Sequence, residues 1–329
     1  MLAGHPTLRK LADAARAQPG LADISIAAAR EQMAARTAAR PPGPAIHEVR
    51  DLVVPGSECN IPLRLYRPRD PIGVAVVFHG GGWLMGSLES FDATSRHLAH
   101  ESGLAVVSVD YRLAPESPFP AALDDAWTAT QWVAKNSELL EVDSRRLVVL
   151  GESAGGNLAA GVCLLARDFG APAVCAQILI YPPVDARLRI ASLDQFAEGY
   201  LQTKRDVIYA YRTYGLDTLV DATDRRLSPL LAPSHRGLPM TLLISAGCDA
   251  IRDDTNAYAT CLLAADVSAT HVCYSSMMHT FFGMRGIVAD AAIAQKQVAV
   301  TVREAVLLSD RRSIRGPSTI FTESSSSGA

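Results

Sequence analysis

Six short, nearly unbroken apolar runs punctuate this chain, at 74–79, 105–110, 147–151, 174–181, 240–246 and 271–275, and most are separated by helical patterns. That alternation leaves few folds open. A strand with one wet face alternates apolar and polar residues, whereas a run that is apolar throughout must be covered on both faces. Helices between successive strands supply the cover and make those strands parallel. The expectation is an α/β fold with a mostly parallel central sheet and helices on both faces. A length of 329 residues with 49% hydrophobic and 20% charged content is ample for such a core.

The flanking segments complete the plan. Segments 46–54 and 60–67 read as an antiparallel hairpin at a sheet edge. Upstream, Leu8, Leu11, Ala12 and Ala15 recur at helical spacing, Pro19-Gly20 breaks the pattern, and Ile26, Ala29, Met33 and Ala34 resume it. The proline-rich run Arg40-Pro41-Pro42-Gly43-Pro44 cannot continue a helix and reads as a linker. Between two strands, residues 184–232 carry Phe196, Tyr200, Tyr209, Tyr211 and Tyr214 in helical patches without a clear strand. The expected division is therefore a helical cap from residues 1–40 and 184–232, a core from 45–183 and 233–309, and a disordered serine-rich tail from 310–329.

Charge and hydropathy exclude several classes. There are 31 basic and 34 acidic residues and no basic block, so no nucleic-acid partner is expected. Residues 1–10 turn polar at once, unlike a secretion signal, and apolar runs such as 73–78 and 174–180 are too short to cross a bilayer. The expectation is a cytoplasmic protein with no membrane association. The six cysteines form no C-x-x-C pair and read as free, buried thiols, with no clustered ligands for zinc or another metal.

Chemistry concentrates at Gly151-Glu152-Ser153-Ala154-Gly155, a G-x-S-x-G pentapeptide at the end of an apolar strand and the start of a helical stretch. A serine on a tight strand-to-helix turn exposes its Oγ at the sheet edge. It needs a base, and the base needs an orienting acid, expected after later strands in the order Ser, Asp, His. Asp249 leaves the strand at 242–246, and His279 follows 30 residues later, alone among the eight histidines in having that placement. Asp253 and Asp254 compete for the acid's role but fall where a helix should start, and are expected to cap it. His79-Gly80-Gly81-Gly82-Trp83 follows the first run, and three consecutive glycines cost backbone entropy. Amides converging on a developing oxyanion explain them, with Gly81, Gly82 and Ala154 as the candidate donors. A phosphate loop would need a Lys-Ser/Thr or G-x-G-x-x-G spacing that is absent.

Together these residues resemble the hormone-sensitive-lipase-like branch of α/β hydrolases, the bacterial family IV esterases. The resemblance also covers Asp110-Tyr111-Arg112-Leu113-Ala114-Pro115-Glu116, the segment from Phe119 to Asp125, Gly199-Tyr200-Leu201 and Ser228-Pro229-Leu230. It implies the α/β-hydrolase fold, a two-part cap over a pocket for short acyl esters, a small-molecule ester substrate, and neither cofactor nor metal. The chain departs from the family at Glu152 (usually Asp), at Ala250 (usually Pro) and at Thr280 (usually Gly). Trp83, Glu152 and Thr280 are candidates for the substrate pocket, with a buried core tryptophan as the alternative for Trp83. The expected function is a serine carboxylic ester hydrolase for short-to-medium acyl esters. Two alternatives are an N-acyl amide deacylase using the same residues and a non-catalytic ligand-binding relative. Oligomeric state, a homodimer included, is left open.

Overall fold

The computed structural model of the protein describes residues 6–56 and 58–314. Eight strands form one sheet: β1 (Glu48–Pro55), β2 (Asn60–Arg67), β3 (Val74–Phe78), β4 (Ala105–Val109), β5 (Leu147–Glu152), β6 (Ala176–Ile180), β7 (Met240–Cys248) and β8 (Ala269–Met278). Their spatial order is β1-β2-β4-β3-β5-β6-β7-β8. The hairpin pair β1–β2 and the pair β2–β4 are antiparallel; every other neighbour is parallel. The continuous apolar runs have the expected cause, since every residue of β3, β4, β5 and β6 is buried. β1, at the edge, alternates between half-buried and exposed positions along most of its length.

Helices α1 (Pro6–Arg16) and α2 (Ile26–Ala38) precede the sheet, followed by α3 (Leu88–Ser102), α4 (Ala121–Lys135), α5 (Ala154–Phe169), α6 (Ala191–Gln195), α7 (Lys204–Tyr214), α8 (Arg252–Ala264) and α9 (Ala289–Ile314). α3 packs on α9, and α4 on α5. The chain moves from β3 to β4 on one side and then returns past β3 to β5, so the strand order reverses between β3 and β5. A parallel sheet opens a crevice at such a reversal, beyond the carboxyl ends of the two strands. Phe78 of β3 is registered on Gly151 of β5. The glycine run after β3 and the serine after β5 therefore leave the sheet side by side.

The insertion between β6 and β7 carries α6 and α7, and it packs on the N-terminal segment. Asp206 does two jobs there. Its Oδ2 accepts from the Thr203 amide (3.1 Å) while Thr203 Oγ1 accepts from the Asp206 amide (3.1 Å), which closes the first turn of α7. Its Oδ1 accepts from the amide of Ala22 (3.2 Å), and Arg205 pairs with Asp23 (2.5 Å).

Some boundaries differ from expectation. β7 continues to Cys248 through a bulge between Ala246 and Cys248, and β8 runs to Met278, so Asp249 and His279 follow their strands directly. α9 extends to Ile314, past the expected start of the tail at 310, while residues 315–329 lie outside the described residues. All six cysteines are free, but only Cys163 and Cys248 are buried as expected; Cys175 and Cys261 are half-buried, and Cys59 and Cys273 are exposed. The two exposed ones sit at opposite edges of the sheet, Cys59 in the β1–β2 hairpin and Cys273 on β8, where cover is incomplete.

Candidate active site

Ser153 occupies the position before the first turn of α5, with φ 54° and ψ −120°, a conformation that costs an L-residue energy and that surrounding structure must impose. Close packing imposes it. A Cβ on Gly155 would lie 2.1 Å from the carbonyl oxygen of Phe78, and one on Gly151 would lie 1.9 Å from that of Gly155. Only glycine lets β3, β5 and α5 approach this closely, which is why the pentapeptide has the form G-x-S-x-G.

The Ser153 hydroxyl makes no capping bond to its own helix. Its Oγ lies 2.8 Å from Nε2 of His279, whose Nδ1 lies 2.7 Å from Oδ2 of Asp249. Asp249 Oδ1 accepts from the Ile251 amide (3.0 Å), so both carboxylate oxygens are held. All three residues are buried. With the carboxylate accepting the proton of Nδ1, Nε2 is left as an acceptor facing the serine hydroxyl, the arrangement a general base requires.

Asp253 and Asp254 do not touch His279, and they do not cap α8 either. Ile251 holds the cap position without a side-chain bond. The two carboxylates instead tie down the insertion: Asp253 Oδ2 accepts from the Ser192 amide (2.9 Å), and Asp254 Oδ2 accepts from the amides of Val184 (2.9 Å) and Asp185 (3.3 Å). Complete burial pushes the Asp254 carboxyl up to about 8, against those amide bonds and with the Asp185 charge adding to the rise. A carboxyl whose folded pKa is raised holds its proton more tightly than the unfolded chain does. Its contribution to stability is full below the unfolded value near ~4 and is lost as pH rises through about 8. Asp254→Asn keeps an amide acceptor and cannot ionise. Urea denaturation at pH 5, 7 and 9 is expected to favour the variant progressively over the parent; a difference independent of pH would mean that Asp254 is already charged in the fold.

The glycine loop lies against the serine turn. A Cβ on Gly80 would stand 3.0 Å from Glu152 Oε2. Gly81 has φ +128°, and a Cβ there would come 2.0 Å from the Met85 carbonyl oxygen, so no other residue fits. Gly82 follows with φ +63°, and Ala154 is the first residue of α5. The three amides expected as donors therefore belong to two adjoining loops at one end of the sheet. Burial drops the neighbouring His79 to about 4 and keeps its imidazole neutral, stacked 4.3 Å from Tyr111.

The three pocket candidates fare differently. Trp83 is 1% exposed, stacked at 4.6 Å on Tyr214 and packed at 5.1 Å against Tyr211 of α7, so it is a core residue joining the insertion to the sheet, with almost no surface for a ligand. Glu152 is also buried; burial raises its carboxyl pKa, and the hydroxyl of Tyr181 donates to its Oε1 at 2.6 Å. Thr280 is exposed and takes the left-handed conformation, φ +70°, which suits the glycine usual in the resembling family. Tyr181 is the residue that the sequence reading misses. Its hydroxyl accepts from the Phe282 amide (3.2 Å), and its ring centre lies 4.7 Å from that of His279. No motif marks it; its position directly after β6, next to the serine strand, is the one available signal. Among the described residues, no group of three or more His, Cys, Asp or Glu side chains is placed to hold a metal ion, and no helix is long and apolar enough to cross a membrane.

Comparison with known proteins finds relatives of the same fold that are named esterases. A family profile described as the α/β hydrolase fold matches residues 75–283. The chain is 41% identical over 290 residues to carboxylic ester hydrolase LipN of Mycobacterium tuberculosis, covering 85% of this chain and 77% of that one. It is 37% identical over 240 residues to an ethyl acetate hydrolase of Pseudomonas putida, covering 70% and 74%. Among solved structures, a hyperthermophilic esterase from the archaeon Pyrobaculum calidifontis superimposes with a TM-score of 0.85 at 37% identity, covering 92% and 98%.

Proposed function

The chain belongs to the hormone-sensitive-lipase-like family of α/β-hydrolase-fold carboxylic ester hydrolases, and on that premise we propose that it cleaves short-to-medium acyl esters with Ser153 as nucleophile, His279 as base and Asp249 as the orienting acid. The observation that carries the reading is the unbroken chain of contacts from Ser153 Oγ to His279 and on to Asp249, at 2.8 and 2.7 Å. His279 Nε2 takes the serine proton as Oγ adds to the ester carbonyl carbon. The carbonyl electron pair becomes an oxyanion, held by the amides of Gly81, Gly82 and Ala154. The tetrahedral centre collapses, alcohol departs with the proton from His279, and water repeats the sequence on the acyl-enzyme. Asp249 keeps the imidazole in the required tautomer and stabilises its protonated form.

Residues 1–40, of which 1–5 lie outside the described residues, and 184–232 act as a cap that excludes water and limits the pocket's depth. In support, α7 carries Lys204, Arg205, Asp206 and Arg212, which is unlike an apolar lid made to dock on oil. Trp83, Tyr211 and Tyr214 fill the space beneath that helix. A relative named for ethyl acetate, a very small ester, fits the same reading. Each acyl methylene gains about 0.8 kcal/mol only while it meets buried apolar wall. With nitrophenyl esters from acetyl to palmitoyl, kcat/KM is expected to peak near butyryl or hexanoyl and to fall well before palmitoyl. A steady rise to palmitoyl, with a jump when droplets form, would make the protein a lipase; faster turnover of matched N-acyl anilides than of esters would make it an amidase.

A further inference from the structure

We infer that Arg30, on the N-terminal helix α2, is a positioning residue for the oxyanion site: it aims the Gly82 amide by clamping the glycine loop through two rigid peptide planes. The inference rests on the hydrolase reading above. Three successive glycines have more accessible backbone conformations than any other run, so such a loop does not hold its own shape. Something outside it must.

Arg30 Nε donates to the carbonyl oxygen of Leu84 at 2.8 Å. The Leu84–Met85 peptide is planar and trans, so its N–H points opposite to that carbonyl. This N–H, on Met85, donates to the Gly81 carbonyl oxygen at 3.1 Å. The Gly81–Gly82 peptide obeys the same geometry, and its N–H, the proposed oxyanion donor, points away from the captured carbonyl. A second strut ends on the same oxygen. Arg30 Nη2 donates to Ala114 O (3.1 Å); across the Ala114 Cα, the amide of the preceding peptide donates to Trp83 O (2.9 Å), and the Leu84 amide of that Trp83–Leu84 peptide donates to Gly81 O (3.1 Å). The far side of the guanidinium is fixed by Glu116, with Nη1 to Oε1 at 2.8 Å and Nη2 to Oε2 at 2.7 Å.

The arrangement suits arginine and no other residue. A planar fork can reach two carbonyls and a carboxylate together, whereas an ammonium is a single point. Charge-assisted bonds polarise the peptides they engage, and the polarisation passes along a chain of bonds toward the last N–H. As a surface ion pair the contact counts for little, because the Glu116 side chain is 62% exposed. Its value lies in the carbonyls. The N-terminal segment thereby becomes part of the machinery that shapes the oxyanion site.

The test compares the full-length parent with Arg30→Met and Arg30→Lys. For each, kcat and KM are measured on nitrophenyl butyrate, together with the affinity for a trifluoromethyl ketone of matching length. Ser153 adds to that ketone's carbonyl carbon, its proton passes to His279, and the carbonyl pair becomes an oxyanion without a leaving group. Loss of a whole oxyanion donor lowers kcat by roughly 10²–10³; a donor that is mis-aimed should lower it less, about ten- to a hundredfold in Arg30→Met. KM should stay within about twofold, and ketone affinity should fall by the same factor as kcat/KM. Arg30→Lys should recover only part of the loss. A folded Arg30→Met with parental kcat, or one that loses kcat but keeps its ketone affinity, overturns the inference. If Arg30→Met fails to fold, Arg30→Lys decides by the same two readouts, and parental values in it overturn the inference equally. A parent that neither turns over esters nor is labelled at Ser153 by a phosphonate overturns the hydrolase reading and this inference with it. An active parent whose variants are unchanged overturns this inference alone.

Discussion

Ser153→Ala is expected to leave a folded protein whose ester turnover falls by roughly 10⁶-fold, the loss seen when a serine nucleophile is removed from a working triad. Among the described residues the side chain has one hydrogen-bond partner, His279, so deleting Oγ takes nothing else from the described structure. The strained turn persists, because Gly151 and Gly155 still allow β3, β5 and α5 their close approach. Circular dichroism and thermal melting report the fold, and nitrophenyl butyrate reports the activity. Turnover at the parental rate in a folded Ser153→Ala protein would place the nucleophile elsewhere.

Asp249→Asn separates the acid from its neighbours and is expected to lower kcat by about 10⁴. The asparagine amide can donate to His279 Nδ1, which moves the imidazole proton to Nε2 and removes the acceptor that the serine hydroxyl needs. Asp253→Asn should leave kcat near the parental value, because its carboxylate holds the Ser192 amide and pairs with Arg252, away from the imidazole. Steady-state kinetics on both variants decides the matter. If Asp253→Asn were the crippling change and Asp249→Asn the mild one, the proposed acid would be the wrong residue.

Much of the fold is legible in the chain because burial on both faces leaves a compositional trace. β3, β4 and β5 are apolar at nearly every position, as strands covered on both faces are. Strand ends are less legible. Gly247 and Cys248 read as a loop leaving the strand, yet β7 carries them through a bulge, since pairing with β8 rather than local composition decides where the ladder stops. The candidate site shows the same split. Ser153, Asp249 and His279 are marked by their residue types and by their places after strands. Tyr181 is not marked, because its place beside His279 arises from β6 lying next to β5, a relation that no stretch of sequence contains.

Asp254 and Trp83 take their places from partners distant in sequence. Acidic residues at a helix start favour capping, but the insertion offers Asp254 two buried amides, and a buried unpaired amide costs more than a missing cap. An aromatic beside a glycine loop suggests a pocket wall, but α7 brings Tyr211 and Tyr214 onto Trp83 and closes it in. The chain by itself determined the sheet, the turn that strains Ser153 and the flexible glycine loop, because each follows from the hydropathy, size or backbone freedom of neighbours in sequence. Only the tertiary structure decided what restrains that loop. Arg30 lies 54 residues from Leu84 and 84 from Ala114, and a guanidinium finds two carbonyls at those separations only after the helix that carries it has packed.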